Sequence, residues 1–153
     1  MADVPDLDDA DDLARRSADA MWAEDATSRG LGMELMEVSP HRARLRMTVR
    51  DDMVNGHAIA HGGFVFTLAD SAFAFACNSH GVVTVAAGAD ITFSAPARLG
   101  DVLVADAVET DTFGRSGCTD VRVTREPDGA LIALFRGRSR SLNRPIPGVA
   151  QEV

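Results

Sequence analysis

The most regular pattern in the chain is at residues 42–49, where Ala43, Leu45, Met47 and Val49 are apolar and Arg42, Arg44, Arg46 and Thr48 are polar. A period of two puts the four apolar side chains on one face and predicts a half-buried strand. Residues 63–79, GFVFTLADSAFAFACNS, show a different pattern: helical length, no proline, and apolar positions on nearly every side. A helix that is apolar all round is a buried helix. Before these segments, residues 12–25 read as a helix with Leu13, Ala18, Met21 and Trp22 as its apolar positions, and residues 33–38 read as a strand. Residues 51–62 form a loop. Strands follow over 82–93, 102–112, 119–125 and 131–142, separated by Pro96…Gly100, Phe113…Gly117 and Pro127-Asp128-Gly129. Each separator has turn chemistry, and the last is the firmest hairpin signal. Residues 143–153, with Pro145 and Pro147, read as a loose, flexible tail.

The order is therefore helix, two strands, buried helix, four strands. Short links between successive strands favour antiparallel pairing. A helix without a polar face must be wrapped by something. The economical arrangement is an α+β fold in which a curved antiparallel sheet encloses a long central helix.

At 153 residues and 46% hydrophobic composition, the chain suits one domain with its own core. No apolar run reaches the ~20 residues of a membrane helix, and the first residues lack the basic-then-apolar form of a secretory signal. A cytoplasmic location with no membrane partner is the expectation. Cys77 and Cys118 lack zinc-site spacing and are expected as free buried thiols. The net charge of −8 is local, because nine of the 23 acids but only two of the 15 arginines fall in residues 1–25. That balance argues against a nucleic-acid partner. The chain contains no lysine and no tyrosine, which excludes Schiff-base chemistry and a tyrosine acid or base.

Asp70 is the strongest candidate for chemistry, being the only charged side chain between Gly62 and Ser79. An unpaired carboxylate in an apolar helix costs several kcal/mol or takes up a proton. Two readings are open: a structural carboxylate capping a loop or paired with a core arginine, or a nucleophile or general base. The second feature is His61-Gly62-Gly63 at the start of the same helix. Free N–H groups and a partial positive charge there suit a carbonyl that becomes an oxyanion, although a plain turn is the alternative. Asp70 lies two turns further on, ~10 Å along the axis. One subunit could hardly use both, whereas a dimer could supply one from each chain. Asn55 either orients a water or carbonyl or holds the Asn55-Gly56 turn. His57 and His61 are four apart but lack the other ligands of a zinc hydrolase, so no metal is expected.

Asn55-Gly56-His57, His61-Gly62-Gly63 and Leu68-Ala69-Asp70-Ser71-Ala72-Phe73-Ala74, followed by Phe135-Arg136-Gly137-Arg138-Ser139, resemble the hotdog-fold thioesterases, most closely the phenylacetic acid degradation (PaaI) family. The resemblance covers residues 30–142 and leaves the acidic helical segment 1–29 unexplained. It implies the hotdog fold, hydrolysis of aryl- or hydroxyphenylacetyl-CoA without a cofactor beyond the CoA of the substrate, and dimers pairing into tetramers. It further implies Asp70 as catalytic carboxylate, the Gly62 N–H of the opposing subunit as the group polarising the carbonyl, and Asn55 and His61 in support. Gly63, Arg115, Arg138 and Arg98 are candidate substrate contacts, the arginines for CoA phosphates. A hydratase or dehydratase, or an acyl-CoA-binding sensor, is the alternative on the same fold.

Overall fold

The computed structural model describes residues 7–149. Helix α1 (Leu7–Glu24) leads through a short α2 (Ala26–Gly30) into strands β1 (Glu34–Ser39) and β2 (Arg42–Thr48). The long helix α3 (Gly62–Cys77) follows, and then β3 (Val82–Phe93), β4 (Val102–Phe113), β5 (Ser116–Glu126) and β6 (Leu131–Pro145). The apolar period begins only at Leu13, but Asp8 and Asp9 in the first turn complement the helix dipole and extend α1 back to Leu7. The far end of α3 is set by Asn78. Its Nδ2 donates to the carbonyls of Ala74 and Thr84, and its Oδ1 accepts from the Thr84 N–H, tying the helix end to β3.

The six strands form one antiparallel sheet in the order β1-β2-β4-β5-β6-β3. This corrects one expectation: β3 does not pair with its successor β4. It pairs with β6 along Val82–Phe93, and the chain crosses the sheet between the two strands. The β3 edge thus has one partner and one open side. The tail is a second correction. Pairing of Pro145 with Val82 carries β6 past the expected end at 142, and the Ile146 N–H donates to the Gly81 carbonyl. Ile146 and Val149 are buried, so this stretch is packed rather than loose. The remainder of that tail and residues 1–6 of the acidic segment lie outside the described residues.

The sheet wraps α3 as its apolar surface requires. Leu68, Ala72 and Phe73 are buried against Leu45 and Met47 of β2, Leu103 of β4, Val121 of β5 and Phe135 of β6. Gly137 sits opposite Phe73, and a Cβ there would lie 2.7 Å from the ring. Gly137→Ala should therefore cost about 1–3 kcal/mol through overpacking, read by urea unfolding; an unchanged midpoint would contradict this packing.

Candidate active site

Asp70 lies midway along α3 and is half-buried. Among the described residues its carboxylate has neither a hydrogen-bond nor an ion-pair partner, which removes the loop-cap and core-arginine readings. Burial pushes its pKa up from the ordinary 3.8, with no neighbouring charge to offset it. The carboxylate faces a cavity of about 520 Å³. Phe73, Ala74 and Cys77 extend this cavity along α3, Val83 and Val85 supply its β3 wall, and α1 contributes Met21 and Glu24. The Cys77 thiol is buried, and burial above all pushes its pKa up to about 12, which disfavours the thiolate. Next to Asp70, Ser71 Oγ lies 2.8 Å from Ser28 Oγ, which in turn donates to Asp25 Oδ2 at 2.6 Å. The segment left unexplained by the sequence is thus bonded to the helix that carries Asp70.

The other end of α3 separates two candidates that the sequence could not. His61 is the N-cap, and its Nδ1 accepts the Gly63 N–H at 3.0 Å. That occupies Gly63. The Gly62 N–H has no acceptor among the described residues and points out of the helix end. Gly62 is also tightly covered, since a Cβ there would come 2.9 Å from the Phe93 ring. Asn55 Oδ1 accepts from the His57 and Ile59 N–H groups at 2.9 and 3.3 Å, closing the loop as a turn residue. Its amide NH₂ has no acceptor among the described residues. Gly62 precedes Asp70 by eight residues, about 12 Å of helix axis. Within one chain the free N–H and the carboxylate therefore stand apart.

The arginine candidates also diverge. Arg138 projects from the outer face of the sheet and pairs with Asp90 at 2.6 Å. Arg98 lies in the turn beside Ile59, near the Gly62 end of α3, and its backbone N–H donates to Asp101. Arg115, in the β4–β5 turn, borders a second cavity of about 500 Å³ together with Arg144. Both cavities touch Thr84.

Sequence reading missed Arg144, which stands in the stretch taken for a loose tail, and it missed Glu109. The Glu109 side chain is 2% exposed at the base of the second cavity, with Oε1 2.7 Å from His41 Nδ1. A signal for it existed. Leu103, Ala105, Ala107 and Glu109 share one face of β4, so an acid occupies a core-facing position. In the same cavity His80 is held below its ordinary pKa, mainly by burial. Among the described residues no group of three or more His, Cys, Asp or Glu could hold a metal ion, and no helix is long and apolar enough to cross a membrane.

The chain matches the family model described as Thioesterase superfamily over residues 57–132. It is 38% identical to the acyl-coenzyme A thioesterase PaaI of Escherichia coli over 137 residues, 90% of this chain and 97% of that one. The structure of E. coli PaaI, from the phenylacetic acid degradation operon, superposes with a TM-score of 0.86 at 36% identity, covering 89% of this chain and 98% of the other. The TT0310 protein of Thermus thermophilus superposes at a TM-score of 0.73 with 37% identity, over 77% of this chain and 98% of that one. A Streptococcus mutans protein crystallised with acetyl CoA shares the fold at a TM-score of 0.71, with 22% identity over 74% of this chain and 90% of its own. With a central helix wrapped by an antiparallel sheet, an unpaired carboxylate on that helix and these relatives, the chain belongs to the hotdog-fold thioesterase superfamily.

Proposed function

We propose that this protein hydrolyses acyl-CoA thioesters with small aromatic acyl groups such as phenylacetyl or hydroxyphenylacetyl, at sites built from two subunits. The unpartnered, half-buried Asp70 on a cavity wall carries this reading. Hydrolysis needs a base for water or a nucleophile for the carbonyl, and an ionised carboxylate with no competing partner serves either role. Water oxygen ends on the acyl carbon, the C–S bond breaks, and the thiolate leaves with a proton as free CoA. The carbonyl oxygen gains charge in the transition state and needs a donor held in place beforehand. The Gly62 N–H fits that role, but only for a carbonyl held at another chain's Asp70.

The open β3 edge supports that assembly. Val85 and Phe93 on this strand are 43% and 52% exposed, and an unpaired strand edge is a template for antiparallel addition of a second copy. Isologous β3–β3 pairing would continue the sheet through a dimer, and dimers would pair into the tetramer. Asn55, through its free amide, and His61, through the cap that shapes the helix end, act as supporting residues. A CoA thioester substrate also fits the cytoplasmic setting expected from the sequence.

For the CoA phosphates, Arg115 and Arg144 are the arginines this structure supports, because their cavity adjoins the Asp70 cavity at Thr84. Glu109 in that cavity is already held by His41, which leaves the two guanidiniums as the open charge. Arg115→Ala and Arg144→Ala should raise KM several-fold for CoA thioesters and leave kcat nearly unchanged, since phosphates bind equally in ground and transition states. Short thioesters lacking the nucleotide should show no such loss, and the KM effect should shrink with salt. Equal losses on both substrate types would remove these residues from the CoA site.

The hydratase alternative is not favoured, because such enzymes usually combine a histidine with a carboxylate and no histidine lines the Asp70 cavity among the described residues. The direct test is thiol release from phenylacetyl-CoA under multiple turnover. Sustained release establishes the activity, and binding without release would leave the sensor reading.

A further inference from the structure

The proposed reaction assigns no role to residues 7–29 of the acidic N-terminal segment, yet they are fixed firmly to the fold. Ala14 and Ala18 of α1 are 0% and 4% exposed, and Leu13 packs on Gly81, where a Cβ would lie 3.0 Å from its Cδ1. Trp22 meets Phe75 of α3 with ring centroids 6.1 Å apart. Beyond α1, both carboxylate oxygens of Asp25 are taken by Ser28, through its N–H at 2.9 Å and its hydroxyl at 2.6 Å. Ser28 continues to Ser71, the neighbour of Asp70. These contacts hold α1 beside the C-terminal half of α3 and the turn that follows it.

Between those contacts α1 turns Met21 and Glu24 into the cavity that holds Asp70. Met21 is half-buried and flexible, a side chain that fills irregular apolar space. Glu24 is exposed, stands at the mouth, and has no ion-pair partner among the described residues. With Asp70 and with Asp25, whose oxygens are both held by Ser28, it gives an apolar cavity three carboxylates and no cation among the described residues.

We propose that α1 is the specificity wall of this site, with Met21 limiting the length of the acyl group and Glu24 turning away acyl groups that end in a carboxylate. The substrate class is thereby narrowed to compact, uncharged acyl groups. This inference rests on the thioesterase reading. A long chain must displace Met21, whereas a compact ring stops short of it. A dicarboxylic half-thioester brings a second negative charge towards Glu24 and Asp70 in a cavity that water only partly screens.

The test compares kcat/KM for phenylacetyl-CoA, decanoyl-CoA and glutaryl-CoA in the wild type, Met21→Ala and Glu24→Gln. Met21→Ala should raise the decanoyl-to-phenylacetyl ratio at least tenfold, since single methylenes in an apolar pocket discriminate by about 10-fold or more. Glu24→Gln should raise the glutaryl-to-phenylacetyl ratio about three- to tenfold at low salt, and the gain should fade as salt rises. Met21→Phe, which keeps the wall and fills the cavity, should move the decanoyl ratio in the opposite direction and covers the case of an unstable alanine variant. Retained turnover with unchanged ratios would overturn the wall. Absence of thiol release from all three substrates in the wild type would overturn the thioesterase reading, and the wall with it.

Discussion

Asp70→Asn is expected to lower kcat by about 10²–10⁴-fold, the contribution of a positioned base, and by more if the carboxylate attacks the carbonyl itself. The fold should survive, because asparagine has the same shape and Asp70 makes no hydrogen bond or ion pair that the change could break. The stability effect follows from the direction of its pKa. Burial raises the folded-state value above the unfolded one. The group then favours the folded state fully below its unfolded pKa, and this contribution is lost as pH rises through the folded value. Above the folded value the wild type carries the penalty of a half-buried charge, so the asparagine variant should be at least as stable there. Activity runs the other way, since base or nucleophile must be ionised. The acid limb of kcat/KM should sit above the ordinary 3.8 of an aspartate. A folded Asn variant with near-normal turnover, or an acid limb at or below 3.8, would contradict Asp70 as the essential carboxylate.

The second large effect is expected from Gly62→Pro. Gly62 is the first residue of α3, a position where proline fits the helix and removes only an N–H that no helical carbonyl uses. His61 before it has φ −61 and ψ 132, the extended conformation that a following proline requires. The added ring atoms press on the far end of the Phe93 side chain, which must shift, so sedimentation of the variant has to show that the β3 edge still assembles. The substitution therefore deletes one donor with little change in backbone. Loss of one oxyanion donor lowers kcat by about 10²–10³-fold. A Pro variant with normal kcat would show that the helix end does not address the carbonyl.

Much of this fold was legible because its strongest signals are local. The alternation at 42–49 and the all-round apolar run after Gly62 depend on nothing but neighbours in sequence, and both elements form where expected. Asp70 was legible for the same reason, as a charge without a polar face to sit on. Partner choice within the sheet was not. Residues 94–101 are as short as a hairpin link, yet they carry the chain from β3 at one edge to β4 inside the sheet, and no local pattern reports that. The tail illustrates how proline misleads: Pro145 reads as a break but sits at the end of β6 paired with Val82, so Arg144 and Ile146 were overlooked.

Among the candidate site residues, spacing alone could not rank Gly62 against Gly63. The side chain of His61 decides it by occupying one of the two N–H groups. Arg138 looked suited to phosphate until the strand alternation was completed. Phe135, Gly137 and Ser139 face inward, which sends Arg138 outward to Asp90. The role of residues 7–30 emerged only in three dimensions, since the Ser28–Ser71 contact joins positions 43 residues apart.

The central claim is that each site joins Asp70 of one chain to Gly62 of another, and subunit mixing tests it most directly. Asp70→Asn and Gly62→Pro chains, each nearly inactive alone, are unfolded together, refolded at equal concentration and assayed for thiol release from phenylacetyl-CoA. Half of the resulting dimers are mixed, and each mixed dimer holds one site with both groups intact. The account predicts recovery of about a quarter of wild-type activity. Activity no higher than the average of the two parent variants, in a sample that sedimentation shows to be assembled, would contradict it.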